Sequence, residues 1–149
     1  LSSCALPVTV SVHCNHAAEL AAPAQKALKK LHISGCLLVS QSVLLKGVND
    51  SVDTLEALFR ALVLNRVKPY YLHHPDKARG TAHFRVSLKQ GMEIFTALRG
   101  RLSGICIPHY MLDIPGGYGK IPLDSARVTL KNDHAEIIDN HGIVHIYKD

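Results

Sequence analysis

Apolar residues switch between strand-like and helix-like spacing along the first half of the chain, and this limits the fold more than any other feature. Val8 to Cys14 is a β-branched run that reads as a strand. Pro23 to Ile33 has helical character, with Pro23 suited to the first turn and Gly35 to the C-terminal cap. Cys36 to Leu45 reads as a second strand. Asn49-Asp50-Ser51 can cap a helix from about Val52 to Asn65 that places Leu55, Leu58, Phe59 and Leu62 on one face. Val67 to Leu72 completes the pattern as a third strand. A strand-helix-strand-helix-strand order implies parallel strands joined by right-handed crossovers. Ligands of such sheets sit at the carboxyl ends of the strands. Polar clusters fall there: His13-Cys14-Asn15-His16 after the first strand, Gln41 within the second, and Tyr71-Leu72-His73-His74 at the end of the third.

The second half is less regular. Ser87 to Leu98 reads as a helix with Met92, Phe95 and Leu98 on one side, and Ile105 to Leu112 as extended chain. Ala126 to Lys131, Ala135 to Asp139 and Ile143 to Tyr147 read as a small antiparallel element, with Asn140-His141-Gly142 as a turn. Between them lies Asp113-Ile114-Pro115-Gly116-Gly117-Tyr118-Gly119-Lys120-Ile121-Pro122. Glycines at this density admit backbone angles closed to other residues and allow close approach to a ligand. A lysine presented on such a loop can attack a carbonyl cofactor, pyridoxal phosphate being the common case. Taken alone, the segment reads more simply as a tight turn with a solvated lysine. It is not a phosphate-binding P-loop: Ile114 stands where that motif needs glycine, and Ile121 where it needs a hydroxyl.

Composition narrows the function classes. Hydrophobic residues make up 47% of the 149 positions, as in a globular chain, and no apolar run approaches the ~20 residues of a bilayer span. The start at Leu1 has no basic n-region and does not read as a signal peptide, and the missing initiating methionine suggests a fragment. The net charge of +5 comes from scattered Lys and Arg with few aromatics, a poor fit to nucleic-acid binding. Cys4, Cys14, Cys36 and Cys106 match no compact metal-binding spacing and read as buried reduced thiols of a cytoplasmic protein. Arg99 and Arg101 could meet an anion, although exposed arginines are usually solvated.

Five blocks in order resemble one family: Gln41-Ser42-Val43-Leu44-Leu45-Lys46-Gly47-Val48-Asn49-Asp50, Pro69-Tyr70-Tyr71-Leu72-His73-His74-Pro75-Asp76, Gly80-Thr81-Ala82-His83-Phe84-Arg85, Leu98-Arg99-Gly100-Arg101-Leu102-Ser103-Gly104, and the glycine-lysine segment. They resemble the C-terminal half of lysine 2,3-aminomutase, a radical S-adenosylmethionine enzyme that also uses pyridoxal phosphate. The resemblance runs from about Val10 to Pro122. It implies the later half of a partial (β/α)6 barrel in residues 1–73, with about three parallel strands. Cofactor and substrate loops with the cofactor lysine would follow in 74–123, and the antiparallel tail in 124–149.

By the same resemblance, Lys120 holds pyridoxal phosphate; Tyr70, Tyr71 and His73 could line its pocket, core packing being an equally good account of the tyrosines. His73 departs from the tyrosine common in the lysine enzyme. His13 and Gln41 lie beside S-adenosylmethionine, with Asn15 and His16 as weaker candidates. Asp76 and Asp113 would hold the distal ammonium of L-lysine; for either alone, turn formation or helix capping is the simpler reading. Glutamate-using relatives replace these carboxylates. The cysteine triad of the [4Fe-4S] cluster is absent from these residues, and Ser51 stands where some relatives have a zinc-binding cysteine, so no metal ligand is expected in this chain. The implied reaction moves the α-amino group of lysine to its β-carbon, and the chain is expected to be inactive without the N-terminal half. Related readings are an aminomutase serving β-lysylation of elongation factor P and a non-catalytic remnant or interaction module. Asp113 and the tail favour the free-lysine enzyme. Partners would be L-lysine, the N-terminal half and a second copy of the chain, with neither nucleic acid nor membrane.

Overall fold

The computed structural model describes residues 6–123 and 126–149. The expectation for Cys4 lies outside these residues. Strand β1 (Thr9–His13), helix α1 (Ala22–Ile33), β2 (Leu37–Val43), α2 (Val52–Leu64), β3 (Lys68–His73), α3 (Leu88–Arg101) and β4 (His109–Asp113) alternate along the chain. β1, β2, β3 and β4 pair in that order, all parallel. Short β5 (Lys120–Pro122) adds to β4 antiparallel. A separate antiparallel sheet follows, made of β6 (Val128–Leu130), β7 (Ala135–Ile138) and β8 (Val144–Tyr147).

The sheet therefore has four parallel strands, not the three expected. The extended segment before Asp113 is a strand because α3 serves as a third crossover and returns the chain beside β3. The glycine-lysine segment is likewise no irregular loop throughout. It is a tight turn whose Ile114 N–H donates to the Gly119 carbonyl at 3.0 Å, and it reverses the chain into β5.

Local chemistry accounts for the helices. Ser51 and Ser87 cap α2 and α3 by accepting from the N–H groups of Thr54 and Gln90, each at 3.2 Å. Pro23 sits in the first turn of α1, and Gly35 beyond its end has φ +85°. Leu55, Leu58, Phe59 and Leu62 form a helical stripe on α2 with no solvent exposure. Complete burial of each such side chain is worth about 1.5–3 kcal/mol. α3 buries Leu88, Gly91, Ile94, Phe95 and Leu98.

The helices cover one face of the sheet. Leu38, Ser40 and Ser42 of β2, Leu72 of β3, Tyr110 and Leu112 of β4 and Ile121 of β5 are buried against them. The alternate residues carry a different chemistry and are less buried: His13 on β1, Gln41 on β2, Tyr71 and His73 on β3, His109 and Asp113 on β4, and Lys120 on β5. Parallel sheets are ordinarily covered on both faces. Here the described residues cover only one, and the other carries the polar groups.

Candidate active site

Strand pairing aligns the polar groups of the uncovered face. His13 lies beside Gln41, Gln41 beside Tyr71, and Tyr71 beside His109, in one row across four strands. His73 stands one step nearer the carboxyl ends, and Asp113 faces Lys120 across the β4–β5 pair. A register irregularity between Ser40 and Gln41 lets Tyr70 stand beside Tyr71, with ring centroids 4.3 Å apart. Asn15 and Asn49 fix the loops that follow β1 and β2. Asn49 Nδ2 donates to the carbonyls of Asn15 and Val43, each at 2.8 Å, and Asn15 Oδ1 accepts from Val43 N–H at 2.8 Å.

Four of the expected residues form one connected chain. His73 Nε2 is 3.2 Å from Gln41 Oε1, and its Nδ1 is 3.8 Å from Asp113 Oδ2. Lys120 Nζ donates to both oxygens of Asp113, at 2.7 and 2.5 Å. This ion pair is roughly 40% exposed on both sides, so it is screened and weak enough to exchange partners. His73 lies below its ordinary pKa, chiefly because burial disfavours the cation. The positive charge of Lys120 acts in the same direction, and Asp113 and Asp76 oppose it. His73 is therefore neutral at pH 7.

Asp76 does not pair with Asp113, yet both line one cavity of about 270 Å³ with Pro75, Lys77, Leu112 and Tyr147. Lys77 Nζ lies 4.2 Å from the centre of the Tyr147 ring. Larger hollows lie elsewhere: about 490 Å³ between the start of α3 and the tail sheet, and about 520 Å³ between α1 and the end of α2. Neither meets the row of polar groups, so volume alone is a poor guide here.

Other expected residues also have local partners. His13 Nε2 accepts from Asn15 Nδ2 at 3.1 Å and remains on the open face. His16 accepts from Ala18 N–H at 3.1 Å while Glu19 accepts from His16 N–H at 2.8 Å, a capping box around the turn at Ala17–Glu19. Arg101 pairs with Asp53 and Glu56, tying α3 to α2 rather than presenting itself to an anion. Cys14, Cys36 and Cys106 are buried and free, and burial raises the Cys14 thiol pKa. Among the described residues, no group of three His, Cys, Asp or Glu side chains could hold a metal ion, and no helix is long and apolar enough to cross a membrane.

No family model matches the chain. Individual proteins do. Over 95% of its length it is 41% identical to an L-lysine 2,3-aminomutase of Methanococcus maripaludis, and over 96% it is 38% identical to that of Clostridium subterminale. This chain belongs to the lysine 2,3-aminomutase family. It spans about a third of the length of the curated relatives it matches, consistent with a C-terminal portion. Over 78% of its length it is also 40% identical to a glutamate 2,3-aminomutase of Clostridioides difficile. The likeness to the lysine 2,3-aminomutases, at 142 of 149 residues, extends past the glycine-lysine turn into the tail sheet.

Sequence reasoning passed over His109, Tyr118, Asp139, His145 and Tyr147. His109 shares the Tyr71 row and meets the Tyr70 ring edge-on with centroids 5.9 Å apart. Its position at an alternate site of a strand could have revealed it, had the strand been recognised.

Proposed function

We propose that the chain is the C-terminal portion of an enzyme that moves the α-amino group of L-lysine to its β-carbon. The linked groups Gln41, His73, Asp113 and Lys120, at the carboxyl edge of an open parallel face, carry this reading. A primary amine near a cluster of aromatic rings fits pyridoxal phosphate: Lys120 is half exposed, Tyr70 and Tyr71 tilt against each other, and Tyr71 meets His73 edge-on. When bound, pyridoxal phosphate would carry the migrating nitrogen, while S-adenosylmethionine and a reduced [4Fe-4S] cluster would supply the radical.

The side chains have separable tasks. Lys120 is the attachment point and must lose a proton before its amine can react. Neutral His73, with Nε2 turned to Gln41, sets its Nδ1 3.8 Å from Asp113, the carboxylate that holds Lys120. Gln41 fixes the orientation of the imidazole. Once Lys120 is engaged, Asp113 is free to turn to another ammonium, and Asp76 lines the same cavity. Two carboxylates around one cavity favour a side chain ending in a cation and disfavour an acidic one. His13 and Gln41, in the row behind, line the face towards S-adenosylmethionine. The cluster and the cover of the open face belong to the rest of the protein, so the chain alone does not turn over. The enzyme is cytoplasmic.

The test uses the full-length protein. Asp76→Ala and Asp113→Ala should each lower kcat/KM for L-lysine by about 100-fold or more, as expected when one partner of a desolvated charge pair is removed. Pyridoxal phosphate content should stay near that of the unaltered protein. Unchanged lysine kinetics in both variants would refute the substrate assignment.

A further inference from the structure

The tail sheet reaches back to the glycine-lysine turn at two points: Asn140 Nδ2 lies 3.5 Å from the Lys120 carbonyl oxygen, and the Tyr118 ring meets His145. The Tyr118 ring, two residues before Lys120, lies against His145 of β8 with ring centroids 4.4 Å apart and planes inclined at 42°. The ring also lies close to Gly116. That residue has φ +99°, and a Cβ there would come within 2.7 Å of Tyr118 Cε2. Only glycine gives both the backbone angle and the room. The half-exposed aromatic ring thus touches both the turn and the tail.

His145 is itself anchored. Its Nε2 lies 2.9 Å from Oδ2 of Asp139, and the other carboxylate oxygen accepts from the N–H groups of His141 and Ile143, at 2.8 and 2.9 Å. Asp139 is 2% exposed. Hydrogen bonds, led by that of His145, outweigh desolvation and hold its carboxyl at about 2. Arg127 braces the same turn, donating to the Asp139 carbonyl at 3.1 Å and to Asn140 Oδ1 at 2.8 Å.

We infer that His145, clamped by Asp139, is a positioning residue that holds the Lys120 turn in place through the Tyr118 ring. The catalytic consequence rests on Lys120 being the cofactor lysine; the mechanical one does not. Glycines at 116, 117 and 119 leave the turn little stiffness of its own, and a freely moving amine would lose the advantage of prior orientation.

Two readouts on the full-length protein separate these claims. The first is hydrogen exchange of residues 113–121 without added cofactor. Tyr118→Ala and His145→Ala should each raise it by about tenfold, while exchange in β1–β3 stays unchanged. Tyr118→Phe, which keeps the ring, should behave like the unaltered protein. The double variant should exchange no faster than either single one, because both remove one contact. The second readout is the rate of borohydride-fixed phosphopyridoxyl label on the Lys120 peptide, which should fall in the same variants and recover in Tyr118→Phe. Additive effects, or unchanged exchange in His145→Ala, overturn the inference. If the unaltered protein labels a different lysine while exchange behaves as stated, the positioning contact stands and the proposed function fails.

Discussion

His74 carries the most strongly shifted imidazole of the site region. It is 2% exposed, its Nδ1 shares a 2.8 Å hydrogen bond with the Tyr110 hydroxyl, and Tyr147 meets it edge-on. Burial, the largest influence, lowers its pKa from 6.5 to about 4; Asp149 opposes this and Lys77 reinforces it. The folded state thus holds His74 neutral, while the unfolded chain protonates it below 6.5. Stability from this group is complete above pH 6.5 and is lost as pH falls towards 4, by roughly 3 kcal/mol in all. Exchange at the imidazole C2 carbon, followed against pH, should give a midpoint near 4 for His74. A midpoint near 6.5 would mean the residue is solvated and the packing is wrong. From sequence, adjacent His73 and His74 are indistinguishable. Strand alternation sends one to the open face and the other into the core, and the strand's end had to be placed within one residue to tell them apart.

At the scale of elements, what was legible followed local chemistry. Ser51 before Val52, the Leu55-Leu58-Phe59-Leu62 stripe and the β-branched run at Val8–Val12 each specify their element without distant help. The missed strand β4 is short, mixes His109, Tyr110 and Met111 with little β-branching, and is fixed by pairing with β3. The Asp113–Lys120 contact needed hairpin register across a glycine turn, and Tyr118 meets His145 across 27 residues of chain. No local signal reports such contacts. Gly91 illustrates how packing overrides propensity. A methyl group there would collide with the Tyr110 hydroxyl, and Leu44 Cδ2 lies 3.1 Å away. Gly91→Ala, which by helix propensity alone would stabilise by about 1 kcal/mol, should instead destabilise by about 1–3 kcal/mol. Denaturant unfolding of the full-length protein checks this; a gain in stability would mean that α3 stands further from β4.

For the whole molecule, the chief structural fact is a parallel sheet with helices on one face and a polar, half-open face on the other. The two faces differ because the alternate residues of each strand differ, which is written in the sequence. What covers the open face is not, and the chain spans only about a third of its relatives' length. Closure of the face as the later half of a (β/α)6 barrel, with cofactors between the halves, follows from the proposed function. The tail sheet then has two roles near that space: Tyr147 lines the cavity of Asp76 and Asp113, and His145 bears on the Lys120 turn. All of this converges on one amine. Full-length protein loaded with pyridoxal phosphate, reduced with borohydride and digested should carry a phosphopyridoxyl group on the peptide containing Lys120, and Lys120→Ala should carry none. Label on another lysine, or equal label in the Lys120→Ala variant, would contradict the account.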